Sequence, residues 1–416
     1  MERPRYAVSR QRSCQECSIT KAKCDRQPGG CTRCWERNIR CVYPKATIVK
    51  NERTAPANSG GTESPTSAST MLKPSNMRTV LPSRHSSSSS PVSFHSQQTA
   101  SLCPPLLLPS TAKMDTNFSA LKLSCPINAD DITARWMNPY IPVPGQAVKS
   151  YPPAVTALIS RNLESYAAIS VRGRHLVPFI HPAQLSGLHV HGDSPLVVCL
   201  GLLQSWGVPG SENALSRVIW DEMRTICDKR NEYEAIDLLG AFQAFLLYML
   251  VLFFRLGQTP DNQLRQAMMD LQALATLAAK KGLTCIADND HSSPLWEEWI
   301  VTEAKRRTLY VMYLFDSVLS SQENLPTFLG TELQGLPAPA GKYLWQAGTR
   351  AEWKHLYNVH LVEWPERLTI DELWPIPADM DAAEEMERRK RVNHWLEDVD
   401  EYGAMLYAVT SITHGV

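Results

Sequence analysis

Six of the chain's 11 cysteines lie within 28 residues near the N-terminus, between Cys14 and Cys41. Their spacing repeats, because C-x2-C-x6-C at residues 14–24 is followed 17 residues later by the same pattern at residues 31–41. A segment this short cannot build a hydrophobic core of its own and needs a staple in order to fold. The repeat therefore predicts a stapled site with approximate twofold symmetry.

The first 14 residues, MERPRYAVSRQRSC, are basic and contain no apolar segment, so we expect no secretory signal. A protein that is not exported stays in a reducing compartment, where paired cysteines bind metals more often than they form disulfides. The cysteine repeat is therefore interpreted as a metal site.

Thiolates favour zinc, and structural zinc takes four ligands in a tetrahedron. One zinc ion would leave two of the six cysteines without metal. Two zinc ions require eight contacts from six sulfurs, so two sulfurs must bridge, and the first cysteine of each half is the symmetric choice. The spacing thus predicts two Zn²⁺ ions bridged by Cys14 and Cys31. The predicted ligands are Cys14, Cys17, Cys24, Cys31, Cys34 and Cys41.

The segment CQECSITKAKCDRQPGGCTRC, followed by six residues and Cys41, resembles the fungal zinc binuclear cluster, the Zn2Cys6 DNA-binding domain. The resemblance implies a short helix after the second cysteine and a module that sits in the DNA major groove. It also implies that Lys21 reads a CGG-like triplet, since guanine presents two acceptors, O6 and N7. Phosphate or flanking contacts are implied for the other cations, Lys23, Arg10, Arg12 and Arg33.

The segment departs from the family pattern at Ser18 and Thr20, where the family commonly has basic residues. Three other interpretations stay open. The two CxxC pairs could hold one zinc ion, with Cys24 and Cys41 outside the site. The cluster could also be a metal store, or a zinc-stapled knuckle for protein interactions.

Charge is balanced over the whole chain, with 42 Lys and Arg against 42 Asp and Glu, but it is unevenly placed. Residues 1–50 hold twelve basic and four acidic side chains. The N-terminal segment is basic and the rest of the chain is more acidic, which indicates that the N-terminal segment binds a polyanion. We expect a DNA-binding domain at residues 10–45, with double-stranded DNA as its partner.

Residues 51–110 contain 15 serines, eight prolines and one aromatic residue, Phe94. This composition cannot bury enough apolar surface to offset chain entropy, so residues 46–125 are interpreted as a disordered linker. No coiled-coil heptads are visible between Pro44 and Pro109. Dimerisation, if it occurs, is therefore expected through the C-terminal part of the chain.

Periodic apolar segments of helical length predict an all-α domain over residues 130–416. Helices are predicted at residues 150–170, 195–206, 211–230, 233–256 and 295–319. A further helix is expected to have Thr259 as its N-cap, Pro260 in its first turn and Gly282 after its end. The longest apolar run, Leu238–Phe254, is interpreted as a buried helix and not as a membrane span.

Part of this region also resembles the middle homology region of fungal transcription regulators. The resemblance implies an all-helical regulatory domain. It rests on Glu303, Arg306, Arg307, Tyr310, Asp316, Leu336, Pro337 and Trp345.

Three further sequence patterns each have a functional interpretation and an ordinary structural one. The run ERRKR at residues 387–391 is a candidate nuclear import signal, although a solvated helix face is favoured. TIDELWPIPADMD and HWLEDVDEYGAML resemble activation segments, although amphipathic packing is favoured. His189, His191 and Asp193 could hold a metal, although a polar loop is favoured.

No catalytic motif is visible, so we expect no enzyme. The sequence as a whole predicts a nuclear, sequence-specific transcription regulator of RNA polymerase II genes, which acts with coactivators. By resemblance, we expect it to control a metabolic or secondary-metabolite gene cluster. The alternatives are a zinc-stapled corepressor that does not bind DNA itself, and an enzyme whose helical body binds a small molecule.

Overall fold

The structure is a computed structural model. Near the N-terminus it describes residues 17, 20, 22, 24 and 31–37. Beyond these it describes residues 117–137, 141, 148–149, 151–188, 194–205, 212–377 and 379–413. The chain divides into an N-terminal unit, residues 1–97, and a C-terminal unit, residues 98–416. We call the described part of the first unit the head and that of the second unit the body.

The head contains one short described helix, α1, at Thr32–Glu36. It begins directly after Cys31 and carries Cys34 in its middle. Earlier in the head, the backbone N–H of Ala22 donates to the carbonyl of Cys17 over 2.9 Å and closes a turn. The side chains of Cys17, Cys31 and Cys34 are buried, so the cysteines take the place of an apolar core.

The body is mostly helical, as the sequence predicts. Its helices are α2 Asp130–Ala134, α3 Pro153–Arg172, α4 Pro182–Leu188, α5 Pro195–Gln204, α6 Glu212–Lys229, α7 Ala235–Phe254, α8 Asn262–Lys280, α9 Trp296–Gln322, α10 Lys342–Gln346, α11 Arg350–Glu363, α12 Ala382–Asp398 and α13 Glu401–Thr413. Short 3-10 turns lie at Arg135–Met137, Ile286–Asp290, Thr331–Leu333 and Ile370–Leu373. The predicted helices are confirmed to within a few residues at each end.

Helix α7 forms the centre of the body. Among the described residues it is the one helix long and apolar enough to cross a membrane, and 83% of its apolar window is buried inside the body. Its buried polar residue, Gln243, donates to the carbonyl of Phe179 over 2.8 Å and accepts from Gln184 over 3.1 Å. The interpretation of this apolar run as a core helix is confirmed.

The start of helix α8 differs from the prediction. The N-cap is Asp261 and not Thr259, because the Asp261 carboxylate accepts the backbone N–H of Leu264 over 2.8 Å. A carboxylate at this position satisfies an N–H group that the helix itself leaves without a partner. The helix end is as predicted, with Gly282 one residue beyond the C-cap Lys281.

Two short strands form an antiparallel ribbon, β1 at Leu123–Ser124 and β2 at Thr284–Cys285. Upstream of β1, Phe118 is buried, and the backbone N–H of Lys122 donates to Glu298 over 2.9 Å. Residues 117–125, which the sequence analysis assigns to the linker, therefore belong to the body. A two-residue strand is too short to show an alternating pattern, so composition alone extends the linker too far.

Gly282 is required by this ribbon. Its φ of +103° lies in the left-handed region, and a Cβ at this position would lie 2.3 Å from Leu123 Cβ. No other residue type allows both this backbone conformation and the close approach of β1.

Helix α9 carries a buried network of charged side chains. Glu303 accepts from both Arg306 and Arg307 over 2.7 Å, and Arg307 donates to Asp400 over 2.5 Å. Burial alone would raise the pKa of Glu303, but the two arginines bring it below its usual value. The network therefore stays charged inside the body and joins α9 to the residue that precedes α13.

The basic run at residues 387–391 is part of α12. Arg388 donates to the carbonyls of Asp371 and Trp374 over 2.7 and 2.6 Å, and Arg391 pairs with Glu372 over 2.8 Å. Two of its arginines thus hold α12 against the 3-10 turn at Ile370–Leu373. This supports a helix face over an import signal.

The two acidic-aromatic segments use their apolar residues in the core. Ile370 and Leu373 are buried in the first segment, and Trp395, Tyr402 and Leu406 are buried in the second. The favoured interpretation as amphipathic packing is confirmed. His189, His191 and Asp193 lie outside the described residues.

Candidate metal centre

Three cysteine sulfurs of the head form one compact group. The Sγ atoms of Cys17, Cys24 and Cys31 all lie within 4.8 Å of one another. The sulfurs of Cys17 and Cys31 are 3.6 Å apart. Two thiolates on one tetrahedral zinc with Zn–S bonds of about 2.3 Å would be separated by about 3.8 Å. The spacing and the soft donor atoms therefore fit a zinc–thiolate centre.

The three sulfurs of this group come from both triplets of the repeat. Cys17 and Cys24 belong to the first triplet of the repeat, whereas Cys31 opens the second triplet. The turn closed by Ala22 and the start of α1 bring the two halves together at this sulfur. The structure thus brings the Cys31 sulfur to the sulfurs of the first triplet, and its assignment as a shared zinc ligand stays a prediction.

Arg33 lies beside the sulfur group. Its Nη1 donates to Thr20 Oγ1 over 2.8 Å and points to Cys17 Sγ over 3.8 Å. A guanidinium next to a thiolate lowers the electrostatic cost of collecting negative sulfurs in one place. Arg33 therefore contacts side chains of the first half of the cluster, and the DNA contact predicted for it stays a prediction.

Sequence reasoning missed the role of Thr20. At the position of Thr20 the family commonly has a basic residue, so the sequence suggests that a DNA contact is lost. In the structure the Thr20 hydroxyl accepts a hydrogen bond from Arg33. The sequence carries no matching signal, because Thr20 lies three residues after Cys17, the second cysteine of its triplet, whereas Arg33 lies one residue before Cys34, the second cysteine of the other. The pairing itself depends on the fold of the head.

The remaining predicted site residues lie outside the described residues and stay predictions. They are Cys14, Cys41, Lys21, Lys23, Arg10 and Arg12.

The family model described as the fungal Zn(2)-Cys(6) binuclear cluster domain matches residues 12–48. The head is a fungal Zn(2)-Cys(6) binuclear cluster domain. Such a domain binds two zinc ions and indicates a fungal DNA-binding transcription regulator. Its family is one of transcription factors and not of enzymes.

No curated protein and no solved structure matches the chain. The family match covers residues 12–48, which lie in the N-terminal unit. The resemblance of the body to the middle homology region stays a prediction.

In a Zn(2)-Cys(6) domain the metal supplies structure and not reactivity. Zinc binding and folding are one event in a segment without an apolar core. In this chain Cys17, Cys24, Cys31 and Cys34 are the described candidates to hold zinc. Arg33 and Thr20 hold the two halves together beside them.

Proposed function

We propose that the protein is a sequence-specific DNA-binding transcription regulator of RNA polymerase II genes that acts in the nucleus. The observation that carries this proposal is the grouping of Cys17, Cys24 and Cys31 within 4.8 Å inside a matched Zn(2)-Cys(6) domain. Two zinc ions held by six cysteines, with Cys14 and Cys31 bridging, would shape a rigid cationic module for a DNA groove.

In this proposal Lys21 reads the base edges of a CGG-like triplet, because both major-groove acceptors of guanine suit a cation. Lys23, Arg10 and Arg12 contact phosphates, which sets affinity but not sequence choice. Arg33 contributes less to DNA than the sequence suggests, because its guanidinium also binds Thr20 within the domain.

The body is proposed as the regulatory domain. Residues that resemble the middle homology region are joined to one another there. Arg307, which pairs with Glu303, lies 4.3 Å over the ring of Trp345, and Tyr310 donates to the carbonyl of Pro337 over 2.8 Å. Such connected pairs support a regulatory domain of that type. Homodimerisation through the body, binding of coactivators and control of a metabolic or secondary-metabolite gene cluster are part of the same proposal.

Selection from a random DNA duplex pool tests the proposal. The full chain should enrich a CGG-like triplet, and a zinc chelator should abolish the enrichment. Cys17→Ser should lose it as well, whereas Cys227→Ser, a half-buried cysteine of the body, should behave as wild type. A zinc-loaded chain that enriches no sequence would overturn the proposal and favour a zinc-stapled interaction protein.

A further inference from the structure

A cavity of about 330 Å³ lies within the body. It is a partly open cleft that is lined by residues of α9, α10, α11, α12 and the loop at residues 337–341. Its volume falls at the lower end of the range of small-molecule sites, about 300–1,000 Å³. Every residue that lines it belongs to the C-terminal unit, so the cavity is a feature of the body alone.

The walls of the cavity are largely aromatic and apolar. The aromatic lining residues are Trp299, Tyr343, Tyr357, Trp364 and Trp395, and the aliphatic ones include Pro337, Leu344, Leu356, Val359 and Leu368. Flat aromatic faces offer most of their contact area to a planar molecule. The walls therefore favour a planar ring system over a flexible chain or a sugar.

The loop at residues 337–341 is fixed before any ligand arrives. The carbonyl of Pro339 accepts from Trp395 Nε1 over 2.8 Å, and the N–H of Ala340 donates to Glu303 over 2.9 Å. The carbonyl of Pro337 accepts from Tyr310. These three groups of the loop already have partners, whereas side chains of the lining offer free polar atoms.

Arg306, which lines the cavity, carries a buried donor without a partner in the described part of the chain. Its Nη1 donates to Leu283 over 2.6 Å and its Nη2 to Glu303 over 2.7 Å. Its Nε is buried and has no hydrogen-bond partner among the described residues. A buried donor without a partner carries a desolvation cost that a ligand oxygen would relieve.

The remaining polar groups decide the charge of the ligand. Asp288 is paired with Arg367 over 3.2 Å, and the charge of Arg306 is matched by Glu303. Glu363 and Asp398 also line the cavity, and neither side chain forms a hydrogen bond or ion pair within the described chain. The uncompensated charge is therefore negative, which disfavours an anionic ligand.

His360, which lies between Tyr357 and Trp364 in the same wall, adds no cation to offset this charge. Burial lowers its pKa below the ordinary value of 6.5, despite nearby acidic groups. The imidazole is therefore neutral at neutral pH and presents one donor and one acceptor.

We propose that this cavity is an effector site for a neutral, planar aromatic molecule with a carbonyl oxygen and at least one hydroxyl group. The ring system packs against the aromatic walls, the carbonyl oxygen accepts from Arg306, and the hydroxyl donates to Asp398. This site goes beyond DNA recognition, because ligand binding needs no zinc and no DNA.

Fluorescence titration of the full chain tests the site. The probe is Prodan, a neutral naphthalene ketone whose emission shifts to the blue in apolar surroundings. Saturable binding with a blue shift is expected, and 6-hydroxyflavone should displace the probe. The anion anilinonaphthalene sulfonate should bind at least roughly tenfold more weakly than Prodan, a difference of about 1.4 kcal/mol.

Two valines on α11 provide a matched pair of variants. Val359 lines the cavity and is 44% exposed, whereas Val362 is 80% exposed and does not line it. Val359→Trp should fill the cavity and weaken Prodan binding by roughly tenfold or more. Val362→Trp should leave it unchanged. Circular dichroism checks folding, and Val359→Phe replaces Val359→Trp if the latter unfolds.

Asp398→Asn separates the hydroxyl contact from general packing. It should weaken 6-hydroxyflavone, which carries a hydroxyl group, by roughly fivefold and leave Prodan, which has none, unchanged. Absence of saturable binding, or equal binding by the two valine variants, would overturn the site. Tighter binding of the anion than of Prodan would overturn the ligand class. None of these results would alter the DNA-selection outcome.

Discussion

The guanidinium of Arg33 donates a hydrogen bond of 2.8 Å to the hydroxyl of Thr20. Thr20 follows the second cysteine of the first triplet, and Arg33 precedes the second cysteine of the other, so this bond joins the two halves of the repeat. The same nitrogen lies 3.8 Å from the Cys17 sulfur. The Zn(2)-Cys(6) domain is thus held together by a polar contact as well as by metal.

Loss of this contact should loosen the cluster. Arg33→Ala and Thr20→Val should each release zinc to a competing chelator more readily, by roughly fivefold, since one hydrogen bond contributes about 1 kcal/mol. Arg37→Ala, an exposed arginine at the end of the same segment, should not. Zinc retention in Arg33→Ala with a reduced salt dependence of DNA binding would instead place Arg33 on phosphate.

Lys21 should decide sequence choice. Lys21→Ala should lose discrimination for the guanine-bearing triplet by about 1–3 kcal/mol and keep its zinc. Arg12→Ala should weaken binding to all sequences alike and make the salt dependence shallower. Competition binding with matched and scrambled duplexes measures both effects. A Lys21→Ala chain as selective as wild type would show that another residue reads the bases.

The buried network of α9 should dominate the stability of the body. Arg307→Ala leaves the buried Asp400 without its charged partner and leaves Glu303 with Arg306 alone, so the free energy of unfolding should fall by roughly 3–5 kcal/mol. Arg389→Ala removes an exposed pair with Glu385 and should cost no more than about 0.5 kcal/mol. Urea unfolding followed by circular dichroism compares them, and equal losses would contradict the network's role.

Lys305 should give the body a pH-dependent stability. Its ammonium group is buried against the carbonyl of Gly282, 2.9 Å away, and burial, with a smaller effect of Lys281, lowers its pKa to about 7. Between about pH 7 and its ordinary value of 10.5, the unfolded chain binds a proton at this residue that the folded chain does not. Because the unfolded chain binds this extra proton, raising the pH destabilises it relative to the folded chain. The free energy of unfolding therefore increases with pH across this range.

The comparison with Lys305→Met isolates this effect. Across that pH range, the stability of wild type relative to Lys305→Met should rise by up to about 1.4 kcal/mol per pH unit. Lys280→Met, which removes a half-exposed lysine paired with Asp130, should show no such slope relative to wild type. Urea unfolding at several pH values measures the difference, and a flat or falling difference for Lys305→Met would contradict the assignment.

Local chemistry explains which features could be read from the sequence. The cysteine spacing identifies the zinc site because ligands of one metal must lie close together, and the apolar run in α7 identifies a core helix. Gly282 was identifiable as a helix terminator, because glycine accepts a positive φ at little cost.

Contacts distant in sequence could not be read in this way. Arg307 and Asp400 are 93 positions apart, and no periodic pattern connects them. The pairing of β1 with β2 spans 160 residues and involves two residues on each side. The Asp261 cap was missed because Thr259 and Pro260 form an equally good start signal two residues earlier.

The central claim is that two zinc ions share the sulfurs of the Zn(2)-Cys(6) domain. Native mass spectrometry of the full chain counts bound zinc directly. The account predicts two zinc ions in wild type, and fewer after Cys31→Ser because that sulfur is assigned to both metals. A chain that holds a single zinc ion, or a Cys31→Ser variant that retains both ions, would contradict it.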